Sequence, residues 1–232
     1  YSEIEMAVIE SHTFGQAKVA RLPWVAEPRT APIGSYAGTG DLLFLGGFGH
    51  PPNVDAVKFF VSDVMPRVTE LLRGVKLRVV GSKAPQEVLD LQSETVEVVG
   101  YVADLDDAFA SARVFVAPLL AGAGIKGKVI EAMSLGVPSV LSPVPVEATG
   151  LTDGVDCRIA RTPDEWATAI AELYGSRKVW DSTAEAALAA ARRRFSFDAG
   201  VAQMREALAM VGVYGPTEGA LVFRTARPDR YV

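Results

Sequence analysis

The chain has 232 residues, 49% of them apolar and 22% charged, enough for one large domain or two small ones around a real core. Its net charge of −5 argues against nucleic acid as a main partner, because gripping a phosphate backbone needs a basic face. A single cysteine, Cys157, excludes an internal disulfide and a cysteine metal cluster, and no apolar run approaches the roughly 18 residues of a membrane span.

The first residues, Tyr-Ser-Glu-Ile-Glu, include no initiator Met and no basic segment leading into an apolar one. They do not read as a signal peptide, and we expect the chain to begin partway through a longer protein. Residues 1–35 hold an apolar piece at 6–9 and a helix-like piece at 14–20. A linker with Pro23, Pro28 and Pro32 follows.

From Asp41 onward, short β-rich runs alternate with amphipathic stretches. Leu42, Leu43, Phe44 and Leu45 form a buried strand ending at Gly46-Gly47. Val54, Val57, Val61, Val64, Val68 and Leu71 then recur at helical spacing, predicting a helix over 53–73. Asn53 is its expected N-cap, Gly74 its stop, and Pro66 a kink within it. Further strands are predicted at 76–80, 96–99, 114–116 and 137–141, with a weaker one at 158–160. Helices are predicted at 85–91, 105–112 (capped by Asp104), 126–135, 166–174, 179–194 and 198–211. Such alternation means parallel strands with right-handed crossovers, a doubly wound α/β sheet. Ligands of these sheets bind beyond the carboxyl ends of the strands. Gly46, Gly47, Gly81, Gly100 and the turn from Gly122 to Gly127 mark those ends. We place the main domain at 36–212 and read 213–232 as an irregular tail.

The turn that follows Pro118 carries the chemistry. Gly122, Gly124 and Gly127 space it, and Lys126 and Lys128 open the next helix, with Glu131 one turn on. Glycines allow close backbone approach, and the free N–H groups of a helix start favour negative charge. Lysines there oppose the helix dipole by roughly 0.3–1 kcal/mol where exposed. In isolation each is a solvated surface charge. Two at one glycine-rich helix start imply an anion, most simply a phosphate.

The segment Gly122-Ala-Gly-Ile-Lys-Gly-Lys-Val-Ile-Glu131-Ala-Met-Ser-Leu-Gly-Val-Pro138 resembles the donor-site motif of the group 1 (family 4) glycosyltransferases. These are two-domain GT-B enzymes that take a sugar from a nucleotide-sugar. The resemblance, over about 40–212, implies that this chain is the Rossmann-like, donor-binding C-terminal half. Residues 1–35 would be a remnant of the acceptor domain, the strand and helix that end it, plus linker. It implies hexosyl-type transfer from a nucleoside-diphosphate sugar with retention, to a glycan or lipid-linked acceptor held by the missing N-terminal domain. This chain alone would then be inactive. No cofactor or metal is implied; Lys126 and Lys128 are the implied catalytic pair, neutralising the leaving diphosphate. Gly47, Gly122, Gly124 and Ile125 line the donor site, Tyr101 and Val102 meet the nucleobase, and Glu131 takes the ribose hydroxyls. A glutamate that the family usually places at the donor sugar is replaced by Ala123. The family's Arg or Lys after the first strand has Phe48 or His50 in its place. Glu147 is either a sugar contact or a cap.

Two other classes fit the same residues. A non-catalytic nucleotide-sugar-binding module would be consistent with Ala123. A dinucleotide oxidoreductase needs Gly-x-Gly-x-x-Gly after the first strand, and the run Gly47-Phe-Gly49-His-Pro-Pro52 lacks the third glycine. The lone thiol suits a reducing, cytoplasmic setting, with contact at the inner membrane face left to the missing half.

Overall fold

Six β-rich runs pair into one parallel sheet: β1 Asp41–Leu45, β2 Leu77–Val80, β3 Val96–Gly100, β4 Ala112–Ala117, β5 Ser139–Leu141 and β6 Arg158–Ile159. Their order is β3-β2-β1-β4-β5-β6, the doubly wound arrangement expected of alternating strands and helices. The computed structural model of the chain describes residues 3–20, 22, 24–38, 40–147 and 149–212. The tail at 213–232 lies outside the described residues.

Alternation along β1 fills both faces. Leu42 and Phe44 enter one buried cluster and Leu43 the other. The first cluster packs under the helices that follow β1, α2 Pro51–Phe59 and α3 Met65–Leu71, and under α8 Pro163–Gly175. There Trp166 meets Phe60 edge-on at 5.5 Å. The second lies under α5 Leu105–Ser111, α6 Gly127–Leu135 and α9 Arg177–Phe195. Short helices α4 Gln86–Leu89 and α7 Pro143–Val146 and the closing α10 Phe197–Met210 complete the main domain. Asp104 caps α5 as expected, accepting from the Asp106 N–H at 2.9 Å.

The interruption foreseen at Pro66 takes the form of a π-helical turn, Phe60–Val64, between α2 and α3. Proline offers no N–H and its ring crowds the carbonyl four residues back. The widened turn, with Met65 N–H donating to the Phe60 carbonyl, accommodates it without ending the helical run. Asn53 is not the cap. His50 holds that position, Pro51 and Pro52 fill the first helical turn, and Asn53 is buried within it.

The amino-terminal expectation is corrected. Residues 6–9 lie in helix α1, Glu3–His12, and 14–20 are not helical. A strand needs a partner edge, whereas a helix satisfies its backbone groups internally. The left-handed Phe14 (φ 51°) and Gly15 (φ 72°) terminate α1. The strand-then-helix order implied for a domain remnant is therefore not what these residues adopt.

The linker after α1 is non-repetitive but well fastened. Its Trp24 ring faces Gly127. Arg29 N–H donates to the Ser134 carbonyl and Ile33 N–H to that of Leu135, each at 2.8 Å. Further on, Arg113 at the start of β4 lies between the rings of Tyr36 and Tyr174, 4.2 and 4.6 Å from their centroids.

Candidate functional site

β1 and β4 lie side by side at the centre of the sheet. The chain leaves β1 through α2 and α3 toward β2, and leaves β4 through α6 toward β5, so the two connections diverge. Divergence opens a crevice above the carboxyl ends of the pair. A cavity of about 310 Å³ occupies it. The β1 side contributes Gly46, Gly47, His50 and Asn53; the loop after β4 contributes Leu119, Ala121 and Ala123; the start of α6 contributes Ile125, Lys126, Gly127 and Lys128.

Two backbone features shape the crevice. A Cβ at Gly81, which follows β2, would fall on the Gly46 carbonyl, so only glycine lets the β1 loop lie against β2 there. Gly124 has φ 73° and Gly122 φ 137°, conformations that L side chains rarely adopt. They turn the chain tightly enough to bring the first N–H groups of α6 to the cavity.

Lys126 is the N-cap of α6. Its Nζ folds back to donate to the Ala123 carbonyl at 2.5 Å and the Gly124 carbonyl at 3.2 Å, bracing the turn. Burial holds its pKa below the ordinary lysine value, while Glu5 of α1 and Glu147 act the other way. Lys128 sits deeper. Its Nζ donates to Asn53 Oδ1 at 2.6 Å and stands 5.1 Å from the centre of the Phe44 ring. Burial, reinforced by the nearby Lys126 charge, pushes its pKa down to about 8. Among the described residues, none of the ion pairs involves Lys128. Its two partners, an amide oxygen and an aromatic face, both favour the ammonium without cancelling its charge.

Of the residues singled out from the sequence, Gly47, Ile125, Lys126 and Lys128 share the cavity. Gly122 and Gly124 form its turn without being among the lining residues, and Ala123 lines it. Glu131 is half-buried one turn along α6, away from the lining. Tyr101 and Val102 follow β3, the edge strand and two strands from β1, a lateral distance of roughly 10 Å. The Tyr101 side chain is exposed, whereas Val102 packs against the second core cluster. Asn53 is the residue whose place at the site was missed. An amide in an otherwise apolar helical turn directly after the first strand was the available signal.

Residues 39–176, more than half of the chain, match the family model described as Glycosyl transferases group 1. The chain belongs to this family.

Solved GT-B glycosyltransferase structures share its doubly wound, Rossmann-like sheet. A mutant of TarM from S. aureus, in complex with Fondaparinux, alpha-GlcNAc-glycerol and UDP, superposes with a TM-score of 0.74 at 12% identity, over 89% of this chain and 42% of that one. The pneumococcal O-GlcNAc transferase GtfA, in complex with UDP and GlcNAc, gives 0.70 at 15% identity, over 90% and 44%. HepE of Anabaena, in complex with UDP and glucose, gives 0.63 at 15% identity, over 90% and 53%. This chain spans about half the length of these transferases or less, and at such identities the likeness establishes the fold alone. No curated protein matches the sequence. Among the described residues, no helix is long and apolar enough to cross a membrane, and no group of three or more His, Cys, Asp or Glu is placed to hold a metal ion.

Proposed function

We propose that the chain is the donor-binding half of a retaining glycosyltransferase. It takes a nucleoside-diphosphate sugar in the β1–β4 crevice and passes the glycosyl unit to a glycan or lipid-linked acceptor. The observation that carries this reading is Lys128: a largely buried ammonium that lines an open cavity with a neutral amide as its hydrogen-bond partner. A charge held largely out of water and uncancelled is costly unless a ligand of opposite sign completes it. The N–H groups at the start of α6 and the Lys126 ammonium add to the same positive potential.

In this reading the diphosphate lies between Gly47 and the start of α6. Lys126 and Lys128 take up the negative charge that grows on the leaving diphosphate as the glycosidic bond breaks, in place of a divalent cation. Glu131 accepts the ribose hydroxyls, and Tyr101 and Val102 lie where the nucleobase ends. The UDP complexes of TarM, GtfA and HepE support a uridine donor. The acceptor site belongs to a domain preceding the linker, so the 232-residue chain binds donor and transfers nothing.

Calorimetric titration of the chain with UDP, GDP and ADP tests this. Saturable binding of at least one, lost in Lys128→Met, is expected. Absence of binding by all three would overturn it. Ala123 favours a second reading, a binding module that does not catalyse. A longer form carrying the preceding domain separates the two: transfer or hydrolysis of a nucleotide-sugar supports the enzyme, and binding without either supports the module.

A further inference from the structure

Asn53 has more partners than a solvent-facing helix residue needs. Only 6% of it is exposed. Its Nδ2 donates to the Gly47 carbonyl at 2.8 Å and its Oδ1 accepts from Lys128 Nζ at 2.6 Å. The amide thereby links the two walls of the crevice, the loop after β1 and the start of α6. It is tightly seated: a Cβ at Gly46 would approach Asn53 Cγ to 2.9 Å. Both ends of the amide are used in a direction that fixes its orientation, since the carbonyl needs a donor and the ammonium an acceptor.

We propose that Asn53 is the positioning residue of the crevice, a neutral clamp that fastens the Gly47 loop and aims the Lys128 ammonium at the ligand without neutralising it. This rests on the donor-binding reading above. A carboxylate at position 53 would also hold Lys128, but it would complete an ion pair and cancel the charge that the diphosphate needs. It would in addition set an oxygen against the Gly47 carbonyl. The amide is the side chain of this size that meets both demands.

The groups acting on the Lys128 charge include Lys126 at the N-cap of α6, which lowers its proton affinity. His50 lines the same cavity, Glu131 lies three residues along α6, and Glu5 and Glu147 act on Lys126. Affinity for an anion should therefore fall as pH rises through the range in which the free protein's Lys128 loses its proton, near 8.

The test is calorimetry on the full chain and its Asn53→Ala and Asn53→Asp variants. The probe is whichever of UDP, GDP or ADP binds most tightly, titrated from pH 6 to 10. A parallel series in His50→Gln removes the imidazole that lines the same cavity. At pH 7 we expect Asn53→Ala to lose about tenfold or more in affinity and Asn53→Asp at least as much. In Asn53→Asp the alkaline fall should begin at higher pH, because the new carboxylate retains the Lys128 proton. An amide of merely structural importance would lower Tm and leave that midpoint where it stands in the wild type. NMR of the Asn53 side-chain amide in the wild-type chain gives the same answer without a variant: its signals should titrate with Lys128 and move when the nucleotide is added. Wild-type affinity and pH midpoint retained in both variants, or an amide signal that does not titrate, would overturn the Asn53 assignment alone. If the wild type binds none of the three nucleotides, the donor-binding reading falls and takes this one with it.

Discussion

Replacing Lys128 with methionine should make the protein more stable while abolishing its ligand binding. The pKa falls from 10.5 to about 8 because burial, and secondarily Lys126, disfavours the charged form. At about 1.4 kcal/mol for each tenfold change in proton affinity, the ammonium costs the fold roughly 3 kcal/mol near pH 7. Losing the hydrogen bond to Asn53 returns about 1 kcal/mol. The net gain of roughly 2 kcal/mol corresponds to about 4–8 °C in Tm for a domain of this size. The sign follows from proton counts. Between pH 8 and 10.5 the unfolded lysine stays protonated while the folded one does not, so wild-type stability rises across that window. The gap between wild type and Lys128→Met should be full below pH 8 and should vanish and then reverse, by about the 1 kcal/mol of the retained hydrogen bond, as pH rises to about 10.5. A nucleoside diphosphate at a hundred times its Kd should add about 2.7 kcal/mol to the wild type and nothing to the variant. Thermal melts at pH 7, 9 and 10.5, with and without UDP, read all of this. A variant less stable than wild type at pH 7, or a gap indifferent to pH, would refute the argument that the charge is held against solvation.

Glu131→Ala should lower nucleoside-diphosphate affinity by about tenfold or more, since a charge-assisted hydrogen bond is worth roughly 1.5–3 kcal/mol; unchanged calorimetric binding removes the ribose role. Gly81→Ala should destabilise by about 1–3 kcal/mol, because its methyl group would displace the Gly46 carbonyl rather than a flexible side chain; urea melts that differ by less than about 0.5 kcal/mol would contradict this. Cys157 should be inert to thiol reagents in the native state at pH 8. It is buried, and that burial, with Asp156 and Asp153 nearby, pushes its thiol up to about 12. Labelling at the native rate and in urea can be compared directly, and equal rates would refute the placement.

Much of this architecture was legible because its signals are local. Six β-rich runs became the six strands, the first three closed by glycine, and the helical spacing between the first five gave their crossovers. Boundaries moved where capping chemistry went unread. Thr162-Pro-Asp-Glu165 is a capping box, so α8 begins at Pro163 and not at Trp166. The apolar piece at 6–9 misled because four apolar residues carry no period that distinguishes strand from helix. At the site, Lys126 and Lys128 were legible through their conflict with the helix dipole, and Gly47 through its place at a strand end. Asn53 was read as a cap because an amide after two prolines looks like a helix start. That one of its two hydrogen bonds crosses the crevice to Lys128 depends on β1 and β4 being neighbours, which only the strand order fixes.

The segment from Trp24 to Ile33 runs alongside α6 as a splint, touching Gly127 at one end of the helix and bonded to Ser134 and Leu135 at the other. A rigid rod held at both tips cannot slide past its support. Any tug on the chain upstream of Trp24 would be delivered to the cavity-lining tip of α6 as well as to its tail, making the strap a mechanical handle on the crevice.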